Sequence, residues 1–172
     1  MFQTFNPLLS AAFFTLLLSA CASPEPRSTE EVMSEISTTI VESFRSGDPE
    51  TYLALIPSSD EVLEMYRAQK TMTDQEVEQL KNSLDTSIPE KISKSKELYF
   101  KVRSSGEAMG LDWSKITYAA DRFTFTNSFE TAIEGEIDVT YANALYTIQY
   151  TNCTKWRDIV IGPTVYAVTV TP

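Results

Sequence analysis

Histidine is absent from the 172-residue chain. Its absence removes the most common general base, the most common metal ligand and the usual activator of a serine or cysteine nucleophile. Basic residues are also scarce, with 14 Lys and Arg against 24 Asp and Glu and a formal net charge of -10. Binding to nucleic acid or to anionic lipid requires clustered Lys and Arg. We therefore expect no metal, no cofactor and no nucleic-acid partner.

The first 20 residues carry no charge and are mostly apolar. The uninterrupted apolar part after Pro7 has about 14 residues, fewer than the roughly 20 that a membrane-spanning helix needs. A run of this length that ends in small residues is typical of a secretory signal peptide. We expect residues 1–20 to be such a peptide.

The end of this segment, Leu18 to Cys21 (LSAC), resembles the lipobox of bacterial lipoproteins, which consists of a branched residue, two small residues and a cysteine. The resemblance implies cleavage between Ala20 and Cys21, a diacylglycerol on the Cys21 sulfur and acylation of the new amino terminus. Several acyl chains together anchor a protein stably in a bilayer. Residues 21–27 would then be a lipidated terminus followed by an extended linker.

The residue after the cysteine bears on sorting. Ala22 stands where the inner-membrane retention signal of lipoproteins has Asp, so we expect the anchor in the outer membrane of a bacterial envelope. Two alternatives stay open, namely an ordinary signal peptide with an unrelated cysteine and an uncleaved anchor. Without lipidation, Cys21 and Cys153 become a possible disulfide.

Helix signals dominate residues 28 to 109. Ser28 and Thr73 each stand three residues before a Glu, which is the spacing of a capping box. Gly47 predicts the end of the first helix. Pro89 is expected to break the run that follows Thr73 or to begin a new helix. Further helix starts are expected at Asp48 and at Ser59 or Asp60.

Beyond residue 110 the apolar spacing changes from helical to alternating, which predicts strands. Phe123, Phe125 and Phe129 are expected on one side of a strand. Turns are expected at Ala142–Asn143 and at residues 152–155. Helices followed by an antiparallel meander predict a single α+β domain over residues 28–172, with the helices packed on one side of the sheet.

The order of elements and three stretches resemble the NTF2-like superfamily, also called cystatin-like or SnoaL-like. The stretches are FRSGDPETYLALIP (44–57), GLDWSKITY (110–118) and LYTIQYTNCTKWRDIVI (145–161). The resemblance implies a cone-shaped domain in which helices fill the hollow of a curved antiparallel sheet. The superfamily contains isomerases, cyclases and dehydratases alongside non-enzymatic binding domains, and no motif here fixes the catalytic residues of its enzymes.

Five aromatic residues are candidates for lining a pocket. Their hydroxyl and indole groups could orient a small apolar ligand. The alternative is a core built from aromatic residues on strands, which β-propensity alone predicts. The five residues are Trp113, Tyr118, Tyr146, Tyr150 and Trp156.

Three further groups have ordinary explanations. The acids Glu134, Glu136 and Asp138 share one strand face and could bind a hard cation or supply a paired-acid base, but a solvated face is more common. The lysines between positions 91 and 101 are expected on a solvated helix face. Cys153 has no histidine to activate it, so we expect a spectator thiol, with an intermolecular disulfide as the alternative.

The sequence thus predicts a lipid-anchored, non-enzymatic binding domain of the bacterial envelope, whose partner is an envelope protein or a small apolar ligand. One alternative is an enzyme of the same superfamily, of isomerase or dehydratase type, that uses Asp or Glu with Tyr on a small substrate. Another is a structural lipoprotein that binds no ligand.

Overall fold

The computed structural model describes residues 27–156 and 159–171, without the side chains of residues 156 and 159–161. The predicted cleavage and lipidation at Ala20 and Cys21 lie outside this part of the chain and stay predictions. Within it, four α-helices, a short 3₁₀ helix and five strand segments follow one another along the sequence. None of the described helices is long and apolar enough to span a bilayer.

Capping residues determine where the helices begin. Ser28, Ser58 and Thr73 each accept a hydrogen bond from the backbone N–H three residues on, and the Glu at that position bonds back to the cap. The exchange satisfies N–H groups that a helix start leaves without partners. The boxes predicted at Ser28 and Thr73 are confirmed, whereas Ser59 and Asp60 are wrong as caps, because Glu61 completes the box with Ser58. The helices are α1 (Thr29–Ser46), α2 (Pro49–Leu53), α3 (Ser59–Gln69) and α4 (Asp74–Ala108).

Helix α4 is 35 residues long, and the expected break at Pro89 is wrong. Proline removes one N–H donor from the helix, but Pro89 is on the exposed side, where water can bond the carbonyl group that loses its partner. An adjacent face of the helix carries Leu84, which is buried, and Ile88 and Ile92, which pack against the core. Burial before and after the proline keeps the helix continuous, since tertiary packing supplies most of the stability of a helix.

The strand segments form an open antiparallel sheet. Segments β4 and β5 both pair with the edge of β3 that β2 leaves free, so they act as one strand interrupted at Gly162 and Pro163. The sheet therefore has four rows in the order β1, β2, β3 and β4/β5. The segments are β1 (Thr117–Phe125), β2 (Ala132–Tyr141), β3 (Ala144–Trp156), β4 (Ile159–Ile161) and β5 (Thr164–Thr171).

The turn expected at residues 152–155 is wrong, because β3 runs on to Trp156. Asn152 is absorbed in a bulge and has a φ of 59°. The extra residue keeps Tyr150 and Cys153, three positions apart, on the same buried face. A bulge of this kind inserts one residue without ending the strand, so the polar run at 152–155 belongs to a strand and not to a turn.

Of the other two expectations about the strands, one is wrong and one is confirmed. Phe129 does not belong to β1, which ends at Phe125, and it is 83% exposed in the following loop. The turn at Ala142–Asn143 is confirmed, with φ values of 49° and 67°. Two consecutive positive φ values are typical of the two-residue hairpin turns that suit the twist of antiparallel strands.

The interruption between β4 and β5 is bonded to the region of α2. The N–H of Gly162 donates to the carbonyl oxygen of Leu55 at 3.0 Å. The hydroxyl of Tyr52 donates to the carbonyl oxygen of Pro163 at 3.0 Å and accepts from the N–H of Val165 at 3.2 Å. These bonds occupy backbone groups that have no ladder partner at the interruption. Tyr52 is fully buried, so α2 is fixed to the sheet at this point.

The helices pack on one face of the sheet, and apolar side chains fill its hollow. Phe44 of α1 stacks on both Tyr99 and Trp113, with ring centroids 4.5 Å away in each case. Ile137 and Ile148 face this stack from the sheet side of the same core and are fully buried. The predicted fold class is confirmed as α+β, with N-terminal helices against a curved antiparallel sheet. The architecture is consistent with the NTF2-like cone.

Candidate functional site

Two of the aromatic residues predicted to line a pocket, Trp113 and Tyr146, are buried in the core. Trp113 opens the 3₁₀ helix Trp113–Lys115, and its Nε1 donates to the carbonyl oxygen of Arg103 at 2.8 Å. A Cβ added at Gly106 would lie 2.4 Å from its ring, so the tryptophan is tightly packed. The side chain of Trp156 lies outside the described residues. Trp113 therefore fills part of the hollow rather than lining an open space.

The other two, Tyr118 and Tyr150, lie in a polar group on the buried face of the sheet, which we call the Asp121 cluster (Ser37, Tyr118, Asp121 and Tyr150). The carboxylate of Asp121 accepts one hydrogen bond from the Tyr118 hydroxyl and another from the Ser37 hydroxyl, the latter at 3.1 Å. Ser37 belongs to α1 and is fully buried. The cluster therefore joins the edge strand β1 to α1.

Asp121 was not predicted as a site residue, because β1 contains a bulge. Tyr118 pairs with Val139, but Ala120 pairs with the next residue of β2, Asp138, so one residue of β1 is skipped. Without the bulge, alternation from Tyr118 would turn Asp121 outward. The sequence does contain a signal of this bulge. Tyr118 and Phe123 are both aromatic residues expected on the buried face, but an odd number of positions separates them, which strict alternation does not allow.

The Asp121 cluster is already occupied internally. Burial raises the pKa of the Tyr118 hydroxyl, and its hydrogen bond to Asp121 raises that pKa further. Burial also raises the pKa of Tyr150, whose hydroxyl has no hydrogen-bond partner among the described residues. Both phenols are therefore neutral donors at physiological pH. With both carboxylate oxygens of Asp121 accepting hydrogen bonds, the cluster has the character of a structural link.

The three acids on the outer face of β2 are also compensated from within the sheet. Glu134 accepts a hydrogen bond from Thr151, Glu136 from Gln149 and Asp138 from Thr147, at 2.7 to 3.0 Å. Arg122 on β1 pairs with Glu136 and Asp138, each at 2.6 Å. Among the described residues there is no group of His, Cys, Asp and Glu arranged to hold a metal ion.

A cleft of about 700 Å³ lies between α4 and the sheet, and we call it the α4–sheet cleft. One wall is a face of α4 that includes Glu90, Lys91 and Lys94. The other wall is the bulged part of β3 and the start of β5, where Thr151, Asn152, Cys153, Thr154 and Thr164 contribute. The bulge in β3 and the interruption between β4 and β5 meet at this wall. The cleft is therefore a product of the two irregularities of the sheet.

Lys91 is the distinctive residue of this cleft. The helix face on which it lies was expected to be solvated, but Lys91 is half-buried, and burial lowers the pKa of its ammonium group. The Nζ atom lies over Gly162, where an added Cβ would be 2.5 Å away. Lys81 and Lys96 of the same helix pair with carboxylates, whereas Lys91 has no carboxylate partner among the described residues.

Cys153 lies in the cleft wall but is 1% exposed. Burial raises the pKa of its thiol to about 12, and the nearby ammonium of Lys91 acts in the opposite direction. A thiol must ionise to act as a nucleophile, so Cys153 stays protonated and unreactive at neutral pH. Neither Lys91 nor Cys153 was singled out as a binding residue by the sequence, because their proximity depends on the bulge at Asn152.

Comparison with known proteins gives no relative. The chain matches no protein-family model, no curated protein and no solved structure.

Proposed function

We propose that this chain is a lipid-anchored lipoprotein of the bacterial envelope, and that its NTF2-like domain binds a small polar ligand in the α4–sheet cleft without catalysing a reaction. The lipobox at Leu18 to Cys21 supports the anchor. The observation that carries the binding role is the cleft itself, whose volume lies in the range of small-molecule sites. Its lining includes hydroxyl and ammonium groups, which suit a ligand that carries polar groups.

The absence of activation chemistry supports a binding role over an enzymatic one. The thiol of Cys153 is held protonated by burial, and the chain has no histidine to serve as its base. Lys91 and Lys94 are the cationic groups of the cleft and Glu90 its carboxylate. These groups suit recognition of a charged or hydroxylated molecule.

The anchor is tested by Cys21→Ser in the native host. This variant should lose metabolic labelling with a fatty acid and move from the membrane fraction to the soluble fraction, because the acylated sulfur is the attachment point. Cys153→Ser is the matched control and should keep both the label and the membrane fraction. Unchanged labelling of Cys21→Ser, or a native mass without added lipid, would contradict the proposal.

The binding role is tested by native mass spectrometry of the full-length protein extracted from envelopes in a mild non-ionic detergent. A bound small molecule should be present and should be lost in Lys94→Trp, which places a bulky side chain at the cleft wall. Lys101→Trp, on the same helix but outside the cleft lining, should retain it. Bare protein in every preparation, together with no binding from a panel of small polar molecules, would reject this role.

One observation favours the alternative of an NTF2-like enzyme, namely the hydrogen bond between Tyr118 and Asp121 on the buried face of the sheet. An acid next to a tyrosine hydroxyl is a suitable pair for general acid–base chemistry. Such an enzyme needs space for substrate beside the pair. Titration with phenol, followed by NMR of the Tyr118 ring, tests for this space. A saturating shift that Asp121→Asn abolishes would favour the enzyme.

A further inference from the structure

Lys91 combines two properties that surface lysines rarely share. Its side chain is half-buried, and no carboxylate among the described residues pairs with its ammonium group. Taking a charged group out of water costs free energy unless a partner compensates for the lost hydration. Lys96, further along the same helix, has such a partner, because its Nζ lies 2.6 Å from a carboxylate oxygen of Glu50. The ammonium of Lys91 is therefore available to an anion that enters the cleft.

The surroundings of Lys91 favour an anion over a cation. Thr154 and Thr164 line the same cleft, and their hydroxyls are neutral hydrogen-bond donors, whereas the hydroxyl of Thr151 already donates to Glu134. Lys94 adds a second ammonium group, and Glu90 is the carboxylate among the lining residues. Two cationic groups against one anionic group give the cleft a local positive balance within a chain whose net charge is -10.

Gly162 leaves room for the head group of Lys91 at the wall of the cleft. Its φ of 74° is in the left-handed region, and it has no side chain beneath the Lys91 Nζ. A Cβ there would come within 2.5 Å of the nitrogen and would displace it. The interruption between β4 and β5 thus leaves a space that the lysine head group occupies.

We propose that the α4–sheet cleft binds a small ligand through a carboxylate or phosphate group that pairs with Lys91. This inference rests on the proposed function in that the cleft is a ligand site, and it adds the chemical class of the ligand. Lys94 contributes longer-range attraction, and the hydroxyls of Thr154 and Thr164 supply hydrogen bonds to the anion or to the body of the ligand.

The experiment uses full-length protein in a non-ionic detergent and three probes of similar size, namely phenyl phosphate, benzoate and the neutral benzamide. Binding is measured by calorimetry and by NMR of lysine side chains labelled at Cε. At least one anionic probe should bind about tenfold or more tightly than benzamide, and its affinity should fall with added NaCl. The Lys91 signal should report a higher pKa with the anion bound, because an opposite charge favours the ammonium form.

Lys91→Gln should reduce the affinity for the anionic probe by about tenfold or more, since that factor corresponds to loss of one charge-assisted contact. Lys91→Arg should recover part of it, and Lys101→Gln, outside the cleft lining, should change nothing. Equal anion binding by wild type and Lys91→Gln would overturn the proposal, as would a preference for benzamide. Benzamide binding that Lys94→Trp blocks would then preserve the cleft as a ligand site, whereas no binding of any probe would remove support from both proposals.

Discussion

Tyr150 is fully buried, yet its hydroxyl has no hydrogen-bond partner among the described residues. It lies over Gly135, where an added Cβ would be 2.1 Å from the hydroxyl oxygen. A buried polar group without a partner costs about 1–3 kcal/mol, because its hydration is lost and not replaced. Replacing Tyr150 with Phe removes the oxygen and keeps the ring. We expect Tyr150→Phe to raise the free energy of unfolding by about 1 kcal/mol, after allowance for the contacts that the oxygen makes.

The assay is urea unfolding followed by tryptophan fluorescence, since Trp113 is buried and stacked on Phe44 and reports on core packing. In a thermal scan, a gain of that size in a domain of this length corresponds to roughly 2–4 °C in Tm. An unchanged slope against urea would indicate that the variant exposes the same surface on unfolding.

Two other buried tyrosines provide matched controls with the opposite expected sign. The hydroxyl of Tyr99 donates to the carbonyl oxygen of Ser43 at 2.7 Å, and that of Tyr52 bonds both Pro163 and Val165. Tyr99→Phe and Tyr52→Phe should each lower the free energy of unfolding by about 1–3 kcal/mol, because buried backbone groups lose their partners. If Tyr150→Phe were destabilised to the same degree, the reasoning would be refuted, and its hydroxyl would have a partner such as nearby Ser37.

Two further expectations concern α4 and the thiol. Pro89→Ala should raise the free energy of unfolding by about 2 kcal/mol. Proline is about 3 kcal/mol less favourable than alanine inside a helix, but it also restricts the unfolded chain, which offsets up to about 1 kcal/mol of that cost. Loss of stability in urea unfolding would mean that the proline is needed for packing Ile88 and Ile92. The folded pKa of Cys153, about 12, is above that of an unfolded thiol, about 8.5, so its contribution is complete below the unfolded value and is lost as pH rises toward the folded one. Between pH 8 and pH 10 the wild type should lose about 1–2 kcal/mol relative to Cys153→Ala in denaturation at each pH, and parallel curves would contradict this.

The parts of the fold that local chemistry determines were predictable from sequence. The capping boxes at Ser28 and Thr73 involve residues three apart, and Gly47 ends α1 with a φ of 76°. These signals act within one helix turn, so no knowledge of tertiary contacts is needed. The effect of Pro89 was predicted wrongly because it depends on the packing of Ile88 and Ile92 against the core, which the local sequence does not reveal.

The candidate site was less predictable because it is built on irregularities. A bulge turns Asp121 inward, and the bulge at Asn152 keeps Cys153 on the buried face. Each bulge changes which residues share a face of the sheet, and alternation alone cannot locate such a change. Lys91 was read as part of a solvated face because its helical spacing matches that of exposed lysines such as Lys94. The side chain of Lys91 is half-buried because its head group lies over Gly162, at the interruption between β4 and β5.

The bonds between Tyr52 and the segment around Pro163 have a consequence for biogenesis. The partners are 111 and 113 positions apart in the sequence. The hydroxyl of Tyr52 in α2 can therefore form these hydrogen bonds only after residues 163 and 165 have been made. A polypeptide that is delivered amino terminus first can form its helices early, but the hydrogen bonds of Tyr52 form only when β5 is present. Premature termination after residue 161 would therefore leave Tyr52 without these hydrogen bonds, and the helical half would be exposed to proteases although its described helices are present in full.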